Sequence, residues 1–197
     1  MRFANRVVCV AGTIAMLVGA ASTSHAQTVT FSRIDDAVSS RFFDPATTRP
    51  DSINRNKLKI GFHTGLDAAT LKSREFKAST ASFSYTSAMD AINFRVQAPS
   101  GYYIATITYS QRGTGSVLRT GRAGGGTTWT VADSSSSLST FSTNPTFTRT
   151  LDLRSRKLTT VSVSIANSLY AFATPSLGSA TVAVTGADVT VTLVPKL

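Results

Sequence analysis

The chain has 197 residues, with 20 Lys and Arg against 10 Asp and Glu, a formal charge of +10, and a single cysteine. This length suits one domain with a sizeable core, and a lone cysteine excludes an internal disulfide framework. The cationic excess favours polyanionic partners, such as acidic polysaccharide or a cell-envelope surface.

Met1–Ala26 read as a cleaved export signal. Arg2 and Arg6 form a basic start and Val7–Ala21 a charge-free apolar run, with Ser24-His25-Ala26 supplying small residues before a cut at Gln27. The apolar run is too short to cross a membrane comfortably, and no later one reaches roughly 18 residues, so no transmembrane anchor is expected. Cleavage removes Cys9, His25 and two arginines. Residues 27–197 then hold no thiol, one imidazole (His63) and a formal charge of +8. A cysteine-free exported domain with an Ala-ending signal fits bacterial export, secreted or periplasmic, where sugar polymers are commoner partners than nucleic acid.

Strand signals then dominate. Thr28–Phe31 alternates as a short opening strand, and Arg33–Asn56 is polar, with four Asp interleaved with four Arg. Within it, Ser32 and Asp35 have capping-box spacing and Ile34, Val38 and Phe42 recur every four residues, which predicts a short helix over Ile34–Phe43. Leu58, Ile60 and Phe62 alternate with Lys57, Lys59 and His63, a strand with one wet face. Further strands are expected over Thr70–Lys77, over Ser82–Thr86, around Ile92, Phe94 and Val96, and over Tyr102–Ser110 after the Pro99-Ser100-Gly101 turn.

Gly113/Gly115 and Gly124–Gly126 read as turns bracketing Val117–Thr120. Thr127–Ala132 follows, with Trp129 and Val131 on one apolar face, and then a serine loop at Ser134–Ser137. Runs around Phe147–Leu153, Val161–Ile165 and Leu169–Ala173 continue the pattern. Ala180–Val194 alternates on both sides of Gly186-Ala187-Asp188, as a hairpin or a bulged long strand. About ten or eleven short strands between Gly, Pro and Ser clusters predict an all-β, single-domain antiparallel β-sandwich over residues 27–197, jelly-roll-like in type. A transmembrane barrel would need strands of roughly nine to eleven residues, longer than most of these.

Few catalytic constellations are open to this composition. Zinc would have to be held by His63 and carboxylates alone, an unusual ligand set, and Gly-x-Ser-x-Gly is missing. Arg122-Ala123-Gly124-Gly125-Gly126-Thr127-Thr128 lacks the Lys-Ser/Thr ending of a phosphate loop and reads as a hairpin tip. No cofactor is expected. Calcium is the one metal with loop candidates, at Asp35/Asp36, Asp133 and Asp188, without Asp-x-Asp-x-Asp spacing.

Binding is better provided for. Arg112, Arg119 and Arg122 form one basic group and Arg154, Arg156 and Lys157 another, with Tyr102 and Tyr170 as exposed rings for stacking on sugars. Tyr103-x₅-Tyr109-x-Gln111 resembles part of the Tyr/Lys/Tyr/Gln strand of jelly-roll alginate lyases, and Arg74-Glu75-Phe76-Lys77 is similar to their acidic–basic strand. That resemblance implies proton transfer by Tyr109 and His63, with Gln111 and Arg74 on the substrate carboxylate. Ala105 and Ile107 stand where the family has lysine and glycine, and His63 precedes the Arg-Glu segment instead of following it. The leading expectation is therefore a non-enzymatic module that binds an acidic polymer. A self-associating subunit of a matrix or filament comes next, and a polysaccharide lyase third.

Overall fold

In a computed structural model, residues 27–36, 42–63, 75–81, 84–131, 138–173 and 178–197 are described. The expected export signal, Arg74, Asp133 and the Ser134–Ser137 loop lie outside these residues. Eleven strands and one 3-10 turn (Arg154–Arg156) make up the described regular structure. The strands are β1 (Thr30–Asp36), β2 (Arg49–Pro50), β3 (Lys57–Ile60), β4 (Lys77–Ala81), β5 (Ser84–Gln97), β6 (Tyr102–Leu118), β7 (Arg122–Val131), β8 (Leu138–Phe141), β9 (Phe147–Asp152), β10 (Thr160–Ala173) and β11 (Ser179–Pro195). They form two antiparallel sheets. The first has the order β1-β5-β10-β7-β8 and the second β2-β3-β11-β6-β9. Because β6 follows β11 along one edge, β3 and β4 share its other edge.

Alternation explains how the sheets pack. Ile92, Phe94, Val96, Val161, Val163, Ile165, Trp129 and Val131 face inward from the first sheet. They meet Leu58, Ile60, Ile104, Ile107, Val189 and Val191 from the second in one buried cluster. A second cluster, with Phe42, Phe76, Leu169, Val182 and Val184, fills the other end. Each large aliphatic side chain fully buried here contributes about 1.5–3 kcal/mol. The inward faces are oily and the outward faces mostly polar, the reverse of a barrel whose outer wall meets lipid.

The central strands are longer than the sequence pattern suggests, 14 residues in β5 and β10 and 17 in β6 and β11. Ala180–Val194 is the bulged long strand, not the hairpin: β11 pairs with β6 from Ser179 to Pro195, and the register slips at Val184/Gly186. The expected turn at Gly113/Gly115 is continuous strand, and the chain reverses instead at Arg119-Thr120. Glycine is needed at 115 for room, since a Cβ there would collide with the Thr143 carbonyl oxygen. The Gly124–Gly126 hairpin tip is likewise interior to β7, held between β10 and β8. A Cβ at Gly125 would strike the Ser168 carbonyl oxygen of β10.

The helix over Ile34–Phe43 does not form in its described parts. Ile34–Asp36 belong to β1, and Phe43 makes a bridge with Phe62. Tertiary pairing overrides the local capping pattern. β1 pairs with the edge of β5 and absorbs a bulge at Arg33, whose φ is +51°. The buried Asp90 carboxylate accepts the Phe42 and Phe43 N–H groups at 2.8 and 2.7 Å. Thr70–Lys77 is a strand only at its end, where β4 begins, and residues 70–74 lie outside the described part.

Candidate functional site

The sequence-derived basic residues fall in three places. β10 separates two of them: its start adjoins the Arg154–Arg156 turn, whereas Phe172 near its end pairs with Arg122. At about 3.4 Å per residue, some 40 Å of strand lies between the two arginine groups, so they form no single patch. Arg112 is elsewhere again, on the outer face of the second sheet. Its guanidinium is 3.5 Å from Asp188, which Lys57 also holds at 3.1 Å. Arg154 pairs with Asp152 at 3.2 Å, and Lys157 closes the 3-10 turn in the left-handed region.

A shallow hollow of about 700 Å³ opens instead on the outer face of the first sheet. Its position follows from register. Arg95 on β5 sits opposite Ser32 of β1 and Ser162 of β10, and Asn93 opposite Asp35 and Ser164. Phe94, Val96, Val161 and Val163 point into the core, which turns Asn93, Arg95, Ser162 and Ser164 outward. The β1 bulge brings Arg33 to one wall, and Arg156 from the 3-10 turn lines another. Three arginines and one aspartate thus surround a floor of hydroxyl and amide groups. Among the described residues, Arg33 and Arg95 make no ion pair. Sequence reading found Arg156 and missed Arg33 and Arg95. Alternation about Phe94 and Val96 marks Arg95 as outward, but only strand pairing sets it beside β1 and β10.

Further along the same face the lining turns aromatic. Tyr85 of β5 lies directly opposite Phe172 of β10, and Tyr170 is one outward position away. Tyr85 and Met89 are 64% and 75% exposed, large apolar side chains left in water. The Tyr170 ring lies over Gly124, where a Cβ would meet its hydroxyl at 2.8 Å. Arg119, Arg122 and Phe172 then line a smaller hollow at the far end, of about 540 Å³. Tyr102, the other expected stacking ring, is half-buried against the core with its hydroxyl bonded to Gln27. Trp129 is a core residue, as its alternation predicts.

The residues singled out by the lyase resemblance are split up. Tyr109 and Gln111 face inward and are buried. The Tyr109 hydroxyl donates to Gln111 Oε1 at 2.8 Å and accepts from Asn167 Nδ2 at 3.3 Å. Gln111 Nε2 donates to the Pro145 carbonyl at 2.9 Å. Burial pushes the Tyr109 phenol well above its ordinary value of 10, so it stays protonated through the neutral range. This polar seam crosses the core between the two apolar clusters, and no polymer reaches it. His63 is not among Tyr109's partners. It lies beyond β3, 3.9 Å from Asp44. Burial works against ionisation of Asp44, but the Thr47 hydroxyl, His63 and nearby backbone N–H groups outweigh it and hold the carboxyl below its usual range.

Among the calcium candidates, Asp188 is engaged by Lys57 and Arg112, and Asp35 stands among arginines in the hollow. Among the described residues, no three His, Cys, Asp or Glu side chains gather as a metal site would need. Nor is any described helix long and apolar enough to cross a membrane. Compared with known proteins, the chain matches no family model, no curated protein and no solved structure, so a functional reading rests on this geometry.

Proposed function

We propose that this is an exported binding protein that holds an acidic polysaccharide on the outer face of its first sheet. The observation that carries the reading is the hollow where Arg33, Arg95 and Arg156 converge over Asn93, Ser162 and Ser164. Guanidinium groups present paired N–H donors that match carboxylate and sulfate oxygens, and the small polar side chains beneath them suit sugar hydroxyls. The site is open and shallow, which suits a chain passing across it better than a small molecule enclosed by it. Charge attraction at an exposed surface is screened by salt. The protein, purified after expression of the full-length chain, is expected to retain uronate-containing and sulfated polysaccharides at low ionic strength and to release them as salt rises. Affinity that ignores ionic strength, or no retention of any acidic chain, would sink the reading.

A second reading, self-association into a matrix or filament, draws on the exposed Tyr85, Met89 and Phe172. Apolar side chains grouped on one sheet face are a common basis for association. Size-exclusion chromatography over a concentration series tests it, and a strict monomer at high concentration counts against it.

A further inference from the structure

We infer that the ligand is bound as an extended chain along β10, with the Tyr85–Phe172–Tyr170 strip and the Arg119/Arg122 hollow acting as a second subsite. The inference rests on the acidic-polysaccharide reading and specifies the ligand's length and the second place where it is gripped. Outward positions of β10 run without interruption from Ser162 and Ser164 in the first hollow, through Ala166 and Ser168, to Tyr170 and Phe172. Ten residues separate the Arg95–Ser162 row from the Tyr85–Phe172 row, roughly 34 Å of antiparallel strand. The middle of this path is paved with small groups, since Ala166 and Ser168 lie beside Thr128 and Gly126 of β7. Between Ser164 and Ser168 these two strands carry nothing bulky, and Met89 of β5, opposite Ser168, and then Tyr170 mark where the larger side chains begin.

Each end offers a different grip. The first supplies arginines and hydroxyls and holds anionic substituents. The second supplies rings that lie against the apolar faces of sugar units, with two arginines beyond them. Arg119 and Arg122 make no ion pair among the described residues, so the cationic character of this end is left for a ligand. An excess of positive charge at both ends of the path, three arginines against Asp35 at one and two arginines at the other, selects a polyanion with apolar sugar faces. A purely apolar partner would find arginines flanking its contact surface.

A chain that reaches both subsites gains affinity because the second contact is intramolecular. The test compares a long galacturonate chain, able to span the path, with a short galacturonate oligomer that fills only the first hollow. The wild-type protein is expected to bind the long chain more tightly than the short one by at least about tenfold. Tyr85→Ser with Phe172→Ser removes that preference and leaves short-oligomer binding unchanged. Arg122→Gln, an exposed single change, reduces the preference in the same direction. Equal long-chain affinity in wild type and both variants overturns the second subsite while leaving the first hollow as the binding site. A shift of the double variant toward monomer, with long-chain affinity retained, assigns the aromatic strip to self-association and likewise overturns it. If wild type binds neither galacturonate, nor any other acidic chain, the binding reading itself fails and the track falls with it.

Discussion

The two outer faces of the sandwich are built from the same kind of strand, yet they treat charge in opposite ways. On the second sheet, three outward cations are held by carboxylates of the same side. Lys57 and Arg112 converge on Asp188, and Lys59 is bonded to Asp51. Towards the other edge, across β6 and β9, Thr108 bonds Thr150 at 2.9 Å and Ser110 bonds Thr148 at 3.1 Å, so hydroxyls pair across strands. On the first sheet, Arg33 and Arg95 stand in a hollow without ion pairs among the described residues, and large rings are left in water. A face whose polar groups satisfy one another does structural work. A face that leaves cations and aromatics without such partners is prepared for something outside the chain.

Charge reversal puts this contrast to its strongest test. Arg33→Glu with Arg95→Glu is expected to lower affinity for an acidic polysaccharide by about a hundredfold at low salt, a change of about 2.7 kcal/mol. The urea midpoint should move far less than the affinity, because neither guanidinium holds an ion pair among the described residues and neither side chain is part of the core. The matching change on the other face, Arg112→Glu, should do the reverse. It sets a second carboxylate beside Asp188, lowers the urea midpoint and leaves affinity unaltered. Loss of binding in the Arg112 variant would break the division between the faces.

Asp188→Asn sharpens the comparison at a smaller scale. The carboxylate is almost fully covered, and removing its charge leaves Lys57 and Arg112 facing one another without a shared anion. The expected cost is about 1–3 kcal/mol of stability, the range for a charged hydrogen-bond partner, measured by urea unfolding. Polysaccharide affinity should match wild type, since Asp188 lies on the opposite sheet from the hollow.

How much of this contrast can be read in the chain differs between its parts. Alternation identifies the inward residues, which is why Trp129, Ile107 and Val163 are recognisable as core and the sandwich class follows. Alternation also marks Arg95 as outward, but it gives no sign that Arg33 will join it. That placement depends on a β1 bulge in a segment whose local pattern spells helix. The glycines mislead for a related reason. Gly115 and Gly125 read as turns because glycine permits them, yet both are required by backbone passing close overhead. Tyr109 and Gln111 look like a catalytic pair by spacing. Tyr109's inward alternation is visible in the chain, but the partners that seal both residues, Asn167 and the Pro145 carbonyl, come from distant strands and loops. Non-local pairing carries the information that a single strand lacks.

The weakest expected effect is the response to acid, and it belongs to the second sheet's side of the molecule. Asp51 bonds Lys59 and accepts the Asn54 and Ile53 N–H groups, which together hold its carboxyl far below the ordinary value of 3.8 against a small opposing effect of burial. Asp44 is depressed too, with burial opposing and Thr47 and His63 favouring the charged form. A carboxyl whose folded-state value lies below its unfolded one adds stability above the unfolded value and loses it as pH falls toward the folded one. The contribution of these two groups to the thermal midpoint should therefore be full and constant between pH 7 and about pH 5, and should be lost below about pH 4 as unfolded carboxylates take up protons that the folded chain resists. Asp51→Asn should start from a lower midpoint at neutral pH and show a shallower acid decline. Arg95→Gln, on the other face, should reproduce the wild-type profile in full. An acid profile altered by Arg95→Gln and untouched by Asp51→Asn would reverse the assignment of structural charge to the second sheet and available charge to the first.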